Sequence, residues 1–360
     1  MASSSDPVRV GVVGLGRSGW GIHCTVLRQM PERYRVVAVH DPLVDRAQQA
    51  AADLDARSHE SFESLLEDRQ VDLVVVASPS SFHAPQSLAA LRAGKHVLCE
   101  KPFGLGVADA DAMIDAARDA GVLVQPFQQR RYEPDFLKVL EVCRSGVLGR
   151  IEFVRIAWHG FKRRWDWQTL TDTGGGQLNN NGPHLIDHAM CLFGPDDDVE
   201  PDVWCDLRRC LCSGDAEDHV KIVLSARDHP TIEVELSDTF AFGQDRWLIC
   251  GNAGGLVGNA SKLSWKWVDW SSMPDRPVQR ASTPDRSYNN EKLPWQHATW
   301  EAPAAADTGG GAAPAAKPVI ELYGDLFRSI REGVPQVITP QSVRRRVSVM
   351  ERAHQAARRL

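Results

Sequence analysis

Hydrophobic residues in the first 128 positions fall in short unbroken runs, and each run is followed by text of helical period. VRVGVV, Val8–Val13, is such a run and predicts a buried strand. It leads directly into GLGRSG, Gly14 to Gly19, after which Cys24, Leu27 and Met30 recur at helical spacing. The alternation returns in RVVAVHD (Arg35–Asp41), followed by helical text from Val44 to Leu54. It returns again in VDLVVVASP (Val71–Pro79) with a helix over Ser87–Ala93, in HVLCEKP (His96–Pro102) with a helix over Asp109–Ala120, and in VLVQPF (Val122–Phe127). Strands alternating with helices in units of ~30 residues predict a parallel sheet covered on both faces.

Beyond residue 128 the period changes. Pro134–Cys143 reads as a helix that ends at the turn SGVLG. IEFVRIAWH (Ile151–His159), HVKIVLSAR, TIEVELSDTFAF, RWLICG and LSWKWVDW then alternate apolar and polar residues at short intervals. That pattern predicts an open, mainly antiparallel sheet with one wet face. The stretch APAAADTGGGAAPAAKP, 302–318, is low in complexity and reads as a flexible surface loop. Val319–Leu360 reads as two helices around the turn EGVPQVITP. The expected organisation is α/β throughout: a first domain over 1–128, a second over 129–318 that includes the loop, and C-terminal helices over 319–360.

Composition narrows the function classes. The 360 residues suit two domains of the usual ~100–200 residues. A formal net charge of −6 argues against a general binder of nucleic acid or anionic membrane, and the cluster Arg344–Arg346 reads as the solvated face of a helix. The N-terminus lacks the basic and apolar segments of a signal peptide, and no apolar run reaches the ~18 residues of a membrane span. Eight cysteines are scattered with no CxxC pair. Cys24, Cys99 and Cys191 sit in apolar contexts; Cys205, Cys210 and Cys212, with His219 nearby, match no common zinc spacing. These features predict a reduced, cytoplasmic protein without a metal.

Gly14, Gly16 and Gly19 spell GxGxxG between a strand and a helix, and the second strand ends in Asp41, a little beyond the usual ~20 residues. The first glycine permits the tight turn, the second lets the backbone approach a pyrophosphate, and the third lets helix and strand pack closely. Arg17 and Ser18 lie inside this turn, where the helix N-terminus presents N–H groups to phosphate. Asp41 suits the adenosine ribose hydroxyls and would repel a 2′-phosphate, and Pro42-Leu43 offers no cation to hold one, so NAD is expected rather than NADP.

Ligands of open parallel sheets bind beyond the carboxyl ends of the strands. Glu100, Lys101 and Pro102 end one predicted strand there, and Ser78 and Pro79 end another. His83 fits equally the cap of the following helix or a place in the cofactor cleft. Downstream, GGGQLNNNGPHLIDH, Gly174 to His188, places a cap at Asn181-Gly182-Pro183 and then His184, Asp187 and His188 on one helical face. His184 and His188 have a spacing that zinc accepts, but HExxH is absent and Asp187 is better read as a structural partner. In FKRRWDWQTL, Trp165 and Trp167 alternate with Asp166 and Gln168, which suits a polyol ring as well as it suits buried packing. Arg163 and Arg164 could hold a sugar phosphate or carboxylate but read rather as solvated, and Arg131 and Tyr132 read as the cleft edge.

Taken together, VGVVGLGRSG, the strand ending VHD, ASPSSFH, AGKHVLCEKP, FQQRRYEP, SGVLGRIEF, GGGQLNNNGPHLIDH and DLFRSIREGVPQVITP resemble the glucose-fructose oxidoreductase/inositol dehydrogenase/MocA family in order and spacing. AGKHVLCEKP is the most specific of them. The resemblance implies a Rossmann dinucleotide-binding domain followed by an α/β domain whose open sheet serves oligomerisation, so a homodimer or homotetramer is expected. It also implies a tightly held nicotinamide cofactor and a sugar, inositol or related polyol as substrate. The family's catalytic lysine falls on Lys101 and its catalytic histidine on His184. Four residues before that histidine the family often has Asp, and here stands Asn180. An amide donates and accepts hydrogen bonds but takes no proton at ordinary pH, so Asp166 or Asp172 is a candidate to assist. The expected chemistry is hydride transfer from a ring carbinol, with Lys101 stabilising the alcohol oxyanion, His184 taking or relaying the proton near its ordinary pKa of ~6.5, and Asn180 positioning His184 or a substrate hydroxyl. Two alternatives stay open: an enzyme that recycles NAD while cleaving a glycoside or eliminating a substituent, and a non-catalytic NAD or sugar sensor.

Overall fold

The computed structural model describes residues 6–194, 199–283, 286–303 and 316–357. Its first sheet has six parallel strands, β1 (Val8–Val13), β2 (Tyr34–His40), β3 (Arg57–Ser58), β4 (Leu73–Val76), β5 (His96–Cys99) and β6 (Val124–Pro126), in the order β3-β2-β1-β4-β5-β6. The order reverses between β2 and β4, on either side of β1, so a crevice opens above the carboxyl end of β1. A π-helical turn over Gly19–Cys24 continues into α1 (Thr25–Leu27); α2 (Val44–Leu54), α3 (Phe62–Glu67), α4 (His83–Arg92) and α5 (Val107–Ala120) supply the crossovers. Val8, Val10 and Val12 of β1 and Leu73, Val74, Val75 and Val76 of β4 are fully buried, as a parallel sheet covered on both faces demands.

The second domain begins with α6 (Pro134–Arg144) and carries an eight-stranded sheet. Its strands are β7 (Ile151–His159), β8 (Asp202–Arg208), β9 (His219–Ser225), β10 (Thr231–Ser237), β11 (Trp247–Gly251), β12 (Gly254–Gly258), β13 (Lys262–Trp267) and β14 (Gln296–Glu301), in the order β14-β13-β12-β11-β7-β10-β9-β8. The β7–β10 pair is parallel and the other neighbours are antiparallel. On one face lie α7 (Gln177–Asn180) and α8 (Gly182–Phe193), whose Leu185, Ile186, Ala189 and Phe193 join Val154, Ile156, Val234 and Trp247 in a second core.

The chain then returns. Helix α9 (Ala316–Glu332) packs Val319, Leu322, Tyr323 and Leu326 into the first core. Helix α10 (Pro340–Ala357) divides its burial: Val343 and Val347 enter the first core, and Val349, Met350 and Ala353 the second. Of the low-complexity stretch, 304–315 lie outside the described residues, and 316–318 are helical rather than loop because they open α9. Among the described residues no helix is long and apolar enough to cross a membrane.

The position of α10 corrects the reading of Arg344–Arg346 as a solvated face. Arg345 and Arg346 are 8% and 1% exposed, because a helix wedged between two cores has little free surface. Arg346 donates from Nη1 to Gln128 Oε1 and, at 3.2 Å, to the Pro183 carbonyl. It thereby ties the end of the first domain to the start of α8. Arg345 reaches the carbonyls of Gly194 and Val199 at 3.2 and 2.6 Å. Arg346→Ala leaves the buried Gln128 Oε1 without its Arg346 donor and a cavity behind, while the Pro183 carbonyl keeps the Gln128 Nε2 bond. The substitution is expected to lower the unfolding free energy by about 3 kcal/mol in chemical denaturation; a loss under about 0.5 kcal/mol would contradict this account.

Candidate active site

A cleft of about 880 Å³ runs from the carboxyl end of β1 to the start of α8, a size that suits an organic ligand. At one end, Gly14 has φ +83°, and a Cβ there would come within 2.8 Å of the Ala77 backbone. A Cβ on Gly19 would lie 1.8 Å from the Gly14 carbonyl oxygen. These two glycines are fixed by packing. Gly16 lines the cleft and has nothing within 4 Å of the place its Cβ would take, the open cradle a pyrophosphate requires. Arg17 and Ser18 line the same wall.

Asp41, nearly buried, accepts the Leu15 N–H at 2.7 Å and the Leu43 N–H at 2.9 Å. A carboxylate has lone pairs beyond these two, so acceptance from ribose hydroxyls remains open. Pro42-Leu43 offers no cation, but one stands nearby from outside the loop. Arg46, from the first turn of α2, lines the cleft with Nη1 3.5 Å from Asp41 Oδ2. It lies one helical turn beyond Pro42-Leu43, so the sequence of the loop itself does not reveal it. The residues fit a dinucleotide, and they do not divide NAD from NADP.

Glu100 and Lys101 leave β5 side by side. The Glu100 carboxylate accepts the Lys101 N–H at 2.9 Å, meets His23 Nε2 at 3.2 Å and accepts the Ser18 hydroxyl. His23 is held in turn by Tyr323 of α9, with Nδ1 2.8 Å from the phenol oxygen. Burial alone would push Glu100 up; the His23 hydrogen bond and charge, the Lys101 ammonium and the Ser18 hydroxyl outweigh it and hold the carboxyl at about 2. Ser78 donates to Gln86 Oε1 at 2.6 Å, and Pro79 lines the cleft beside it. His83 is buried with Nδ1 2.9 Å from the Pro102 carbonyl and Nε2 2.9 Å from the Ser78 carbonyl. It braces the two strand exits against each other and does not act as a side-chain cap of α4.

At the other end Lys101 Nζ donates to both the carbonyl and Oδ1 of Asn180, each at 2.9 Å. Asn180 Oδ1 also accepts from Gln168 Nε2 at 3.1 Å. So Asn180 grips Lys101 and not His184, which corrects one of its two expected roles. The grip is set by the glycines ahead of α7. A Cβ on Gly175 would lie 2.5 Å from the carbonyl oxygens of Gln168 and Leu170, and one on Gly176 2.3 Å from the Glu217 carboxylate. Burial pushes Lys101 down to about 8: the attraction of Glu100 is opposed by Arg130, Arg17 and Arg164. His184 is buried against the cleft with Nδ1 unpartnered among the described residues. Burial and the neighbouring Arg130 and Lys101 hold it well below its ordinary value. A neutral imidazole is the form that accepts a proton, and this depression makes His184 a weaker base than an ordinary histidine.

Other candidates fall elsewhere. Arg131 turns away from the cleft into a two-toothed ion pair with Asp187, both contacts at 2.7 Å, because the short turn over Gln129–Tyr132 aims successive side chains in different directions. Arg130 takes its place on the wall, its guanidinium 4.6 Å above the Trp158 ring. His188 is buried, stacked on Phe136 at 3.8 Å and 3.0 Å from the Arg130 carbonyl, which makes it a support of that turn. Trp167 lines the cleft, while Trp165 is 78% exposed and lies off the wall. Asp166 lines the cleft bound to Arg164; Asp172 does not. Arg164 is partly buried rather than solvated. Gln168, expected beside the tryptophans, lines the cleft; Lys162, Trp158, Gln129 and Arg130 are wall residues the sequence did not single out, Trp158 from the end of β7 and the others from short turns and irregular segments. Among the described residues no group of three or more metal-ligating side chains assembles.

The description "Oxidoreductase family, NAD-binding Rossmann fold" matches residues 8–128, and "GFO/IDH/MocA C-terminal domain" matches residues 136–257. Inositol 2-dehydrogenase 2 of Saccharopolyspora erythraea is 31% identical over 298 residues, which span 80% of this chain and 84% of that protein. The scyllo-inositol 2-dehydrogenase (NADP(+)) IolW of Bacillus subtilis is 29% identical over 192 residues, 52% of each chain. Among solved structures, an NAD-binding protein from Listeria innocua has a TM-score of 0.79 at 24% identity over 98% of both chains, a likeness of fold. The resemblance carried by eight short motifs thus extends over both domains, and the chain belongs to the glucose-fructose oxidoreductase/inositol dehydrogenase/MocA oxidoreductase family.

Proposed function

We propose that the chain is an NAD-dependent oxidoreductase that moves a hydride between nicotinamide and a ring carbinol of a sugar, sugar derivative or cyclitol, acting in a reducing cytoplasm. The observation that carries this reading is Lys101, a cleft-lining amine whose pKa lies near 8 and whose other hydrogen bonds go to the neutral oxygens of Asn180. Nicotinamide, when bound, supplies the two-electron acceptor or donor. Lys101 acts on the hydroxyl: as the neutral amine it takes the proton of an alcohol being oxidised, and as the ammonium it returns that proton to a carbonyl being reduced. Neutral His184 orients the same hydroxyl by a hydrogen bond, since it is a poor base among cations. Asn180 holds Lys101 in place without fixing its charge. Glu100, ionised and buried, fixes the Lys101 backbone and the Ser18 hydroxyl of the glycine turn. The eight unpaired cysteines support the cytoplasmic reading.

Protein stripped of cofactor and given one equivalent of NAD is expected to yield NADH fluorescence with at least one compound from a panel of inositols, aldoses, sugar acids, amino sugars and glycosides. Steady accumulation with excess NAD accords with a dehydrogenase, a transient signal with released product means a recycling lyase or glycosidase, and silence across the panel despite NAD binding counts against hydride transfer.

The oxidation rate is expected to rise as pH passes through about 8, where Lys101 loses its proton, and the reduction rate to fall over the same range. Asn180→Asp sets a carboxylate where an amide oxygen now lies 2.9 Å from Lys101 Nζ. It favours the ammonium and moves both midpoints upward by about 1–3 pH units. Lys101→Met is expected to abolish turnover while retaining NAD binding; surviving turnover, or a pH profile unmoved by Asn180→Asp, removes Lys101 from the mechanism.

Asp41 next to the ribose edge favours NAD, with Arg46 a partial counterweight. NAD is expected to bind at least about tenfold more tightly than NADP, a difference of ~1.4 kcal/mol. Asp41→Ser should narrow that gap in a fluorescence titration, by removing the repulsion and leaving Arg46 free for a phosphate. Equal binding of both cofactors by the unaltered protein would reverse the assignment.

A further inference from the structure

The wall around Lys101 and His184 is rich in donors and poor in free acceptors. Lys101, Arg130, Lys162 and Arg164 line that part of the cleft with the carboxylates Glu100 and Asp166, and Lys162 is paired with Asp238 at 3.2 Å. Asp166 already accepts three hydrogen bonds, at Oδ2 from Arg164 Nε at 2.9 Å and at Oδ1 from Arg164 Nη2 at 2.7 Å and the Gln168 N–H at 3.0 Å, which leaves about one of its roughly four lone-pair sites. Asn180 Oδ1 is shared between Lys101 and Gln168. A neutral polyol presents hydroxyls that each need an acceptor for their proton, and apart from Gln129 Oε1 and one ring nitrogen of neutral His184 this wall leaves few. Donors, by contrast, are in surplus. Arg130 spends Nη1 on Glu133, and its Nε is buried without a partner among the described residues.

The cations are also close enough to repel one another. Arg130 acts on both Lys101 and His184, and Arg164 on Lys101. Arg164 is joined to Lys101 by a run of hydrogen bonds through Gln168 and Asn180. Asn180 is itself part of the pattern, because an Asp there would set a negative charge in the middle of these donors. Arg17 is left out of the count, since the pyrophosphate accounts for it.

We infer that the substrate carries an anionic group, a carboxylate or a phosphate, received by Arg130 and Arg164 beside the hydroxyl held at Lys101 and His184. This rests on the proposed reading of the cleft as a sugar or cyclitol site. An anion is acceptor-only, which matches the donor surplus, and an arginine fork meets two of its oxygens at once. Its charge offsets the repulsion that Arg130 and Arg164 exert on Lys101.

The test is calorimetric titration of the NAD-loaded protein with D-glucuronate, glucose 6-phosphate and glucose, at low and high salt, with NADH fluorescence followed on the same samples. At least one of the two anions is expected to bind tenfold or more tightly than glucose and to weaken with salt; which one it is tells carboxylate from phosphate. Arg164→Gln and Arg130→Gln are each expected to weaken that anion about tenfold, and Arg164→Lys by less, since it keeps the charge and loses the fork. Glucose binding as tightly as both anions, no measurable binding of either anion, or anion binding indifferent to all three substitutions overturns the inference. Anion binding with no NADH keeps the anion site and removes hydride transfer. NADH formed from glucose, with the anions bound no better, keeps hydride transfer and removes the anion site.

Discussion

The structure turns on one contact, the Lys101 ammonium of the first domain against the two oxygens of Asn180 in the second. Much of the fold serves to bring the exit of β5 to within 2.9 Å of the end of α7. On one side the sheet register fixes β5, with Val97, Leu98 and Cys99 fully buried between β4 and β6. On the other, α7 is placed by glycines that nothing larger can replace, since backbone oxygens of Gln168 and Leu170 and the Glu217 carboxylate occupy the space. Helix α10, with side chains in both cores, and Arg346 beside it keep the two halves in register. A contact of this length across a domain boundary tolerates little shear, so the packing of α10, remote from the cleft, belongs to the same argument as the cleft itself.

Adjacent residues with opposite electrostatic settings meet at this point. Glu100 and Lys101 are neighbours in sequence, both lining the cleft. Glu100 is surrounded by donors: His23, the Ser18 hydroxyl and the Lys101 N–H. It is stabilised as the anion so strongly that it does not titrate near neutral pH. Lys101 looks the other way, into a region of arginines, and its proton is loosely held. The same burial that costs both groups hydration is compensated for one and not for the other. Tyr323, reaching His23 from α9, brings the end of the chain into this arrangement, which gives α9 a place in the site's support as well as in the core.

Elements that repeat were legible in the sequence, and elements that depend on a neighbour were not. The valines of β1 and β4, the glycine turn, and the helices from His83 and Pro134 announce themselves by run length, period and punctuation. Lys101, His184 and Asp41 were legible too, because each sits at a strand end or in a specific motif. Asn180 was legible as a site residue, but its partner was not: Lys101 is 79 residues away and the choice between Lys101 and His184 is made by the turn at Gly174 to Gly176. Arg130 and Arg131 are equivalent as text, and only the turn geometry sends one to the cleft and the other to Asp187. Arg344–Arg346 failed for the opposite reason: local pattern speaks of solvent, whereas the helix that bears it lies between two cores.

The exchange of Asp for Asn at position 180 separates two things a carboxylate there would do together. Geometry needs an oxygen within reach of Lys101 Nζ, and the amide supplies it as well as an acid would. Charge is another matter, because an acid would stabilise the ammonium and the amide does not. With a neutral partner the Lys101 pKa is left to burial and to the arginines around it, and it comes to rest near 8. Burial, with Arg130 and Lys101 beside it, holds His184 well below its ordinary value. A carboxylate at 180 would favour the charged lysine, whereas the amide leaves Lys101 with a pKa depressed to about 8. The amide keeps the oxygen that holds the lysine in place and withholds the charge that would favour its ammonium.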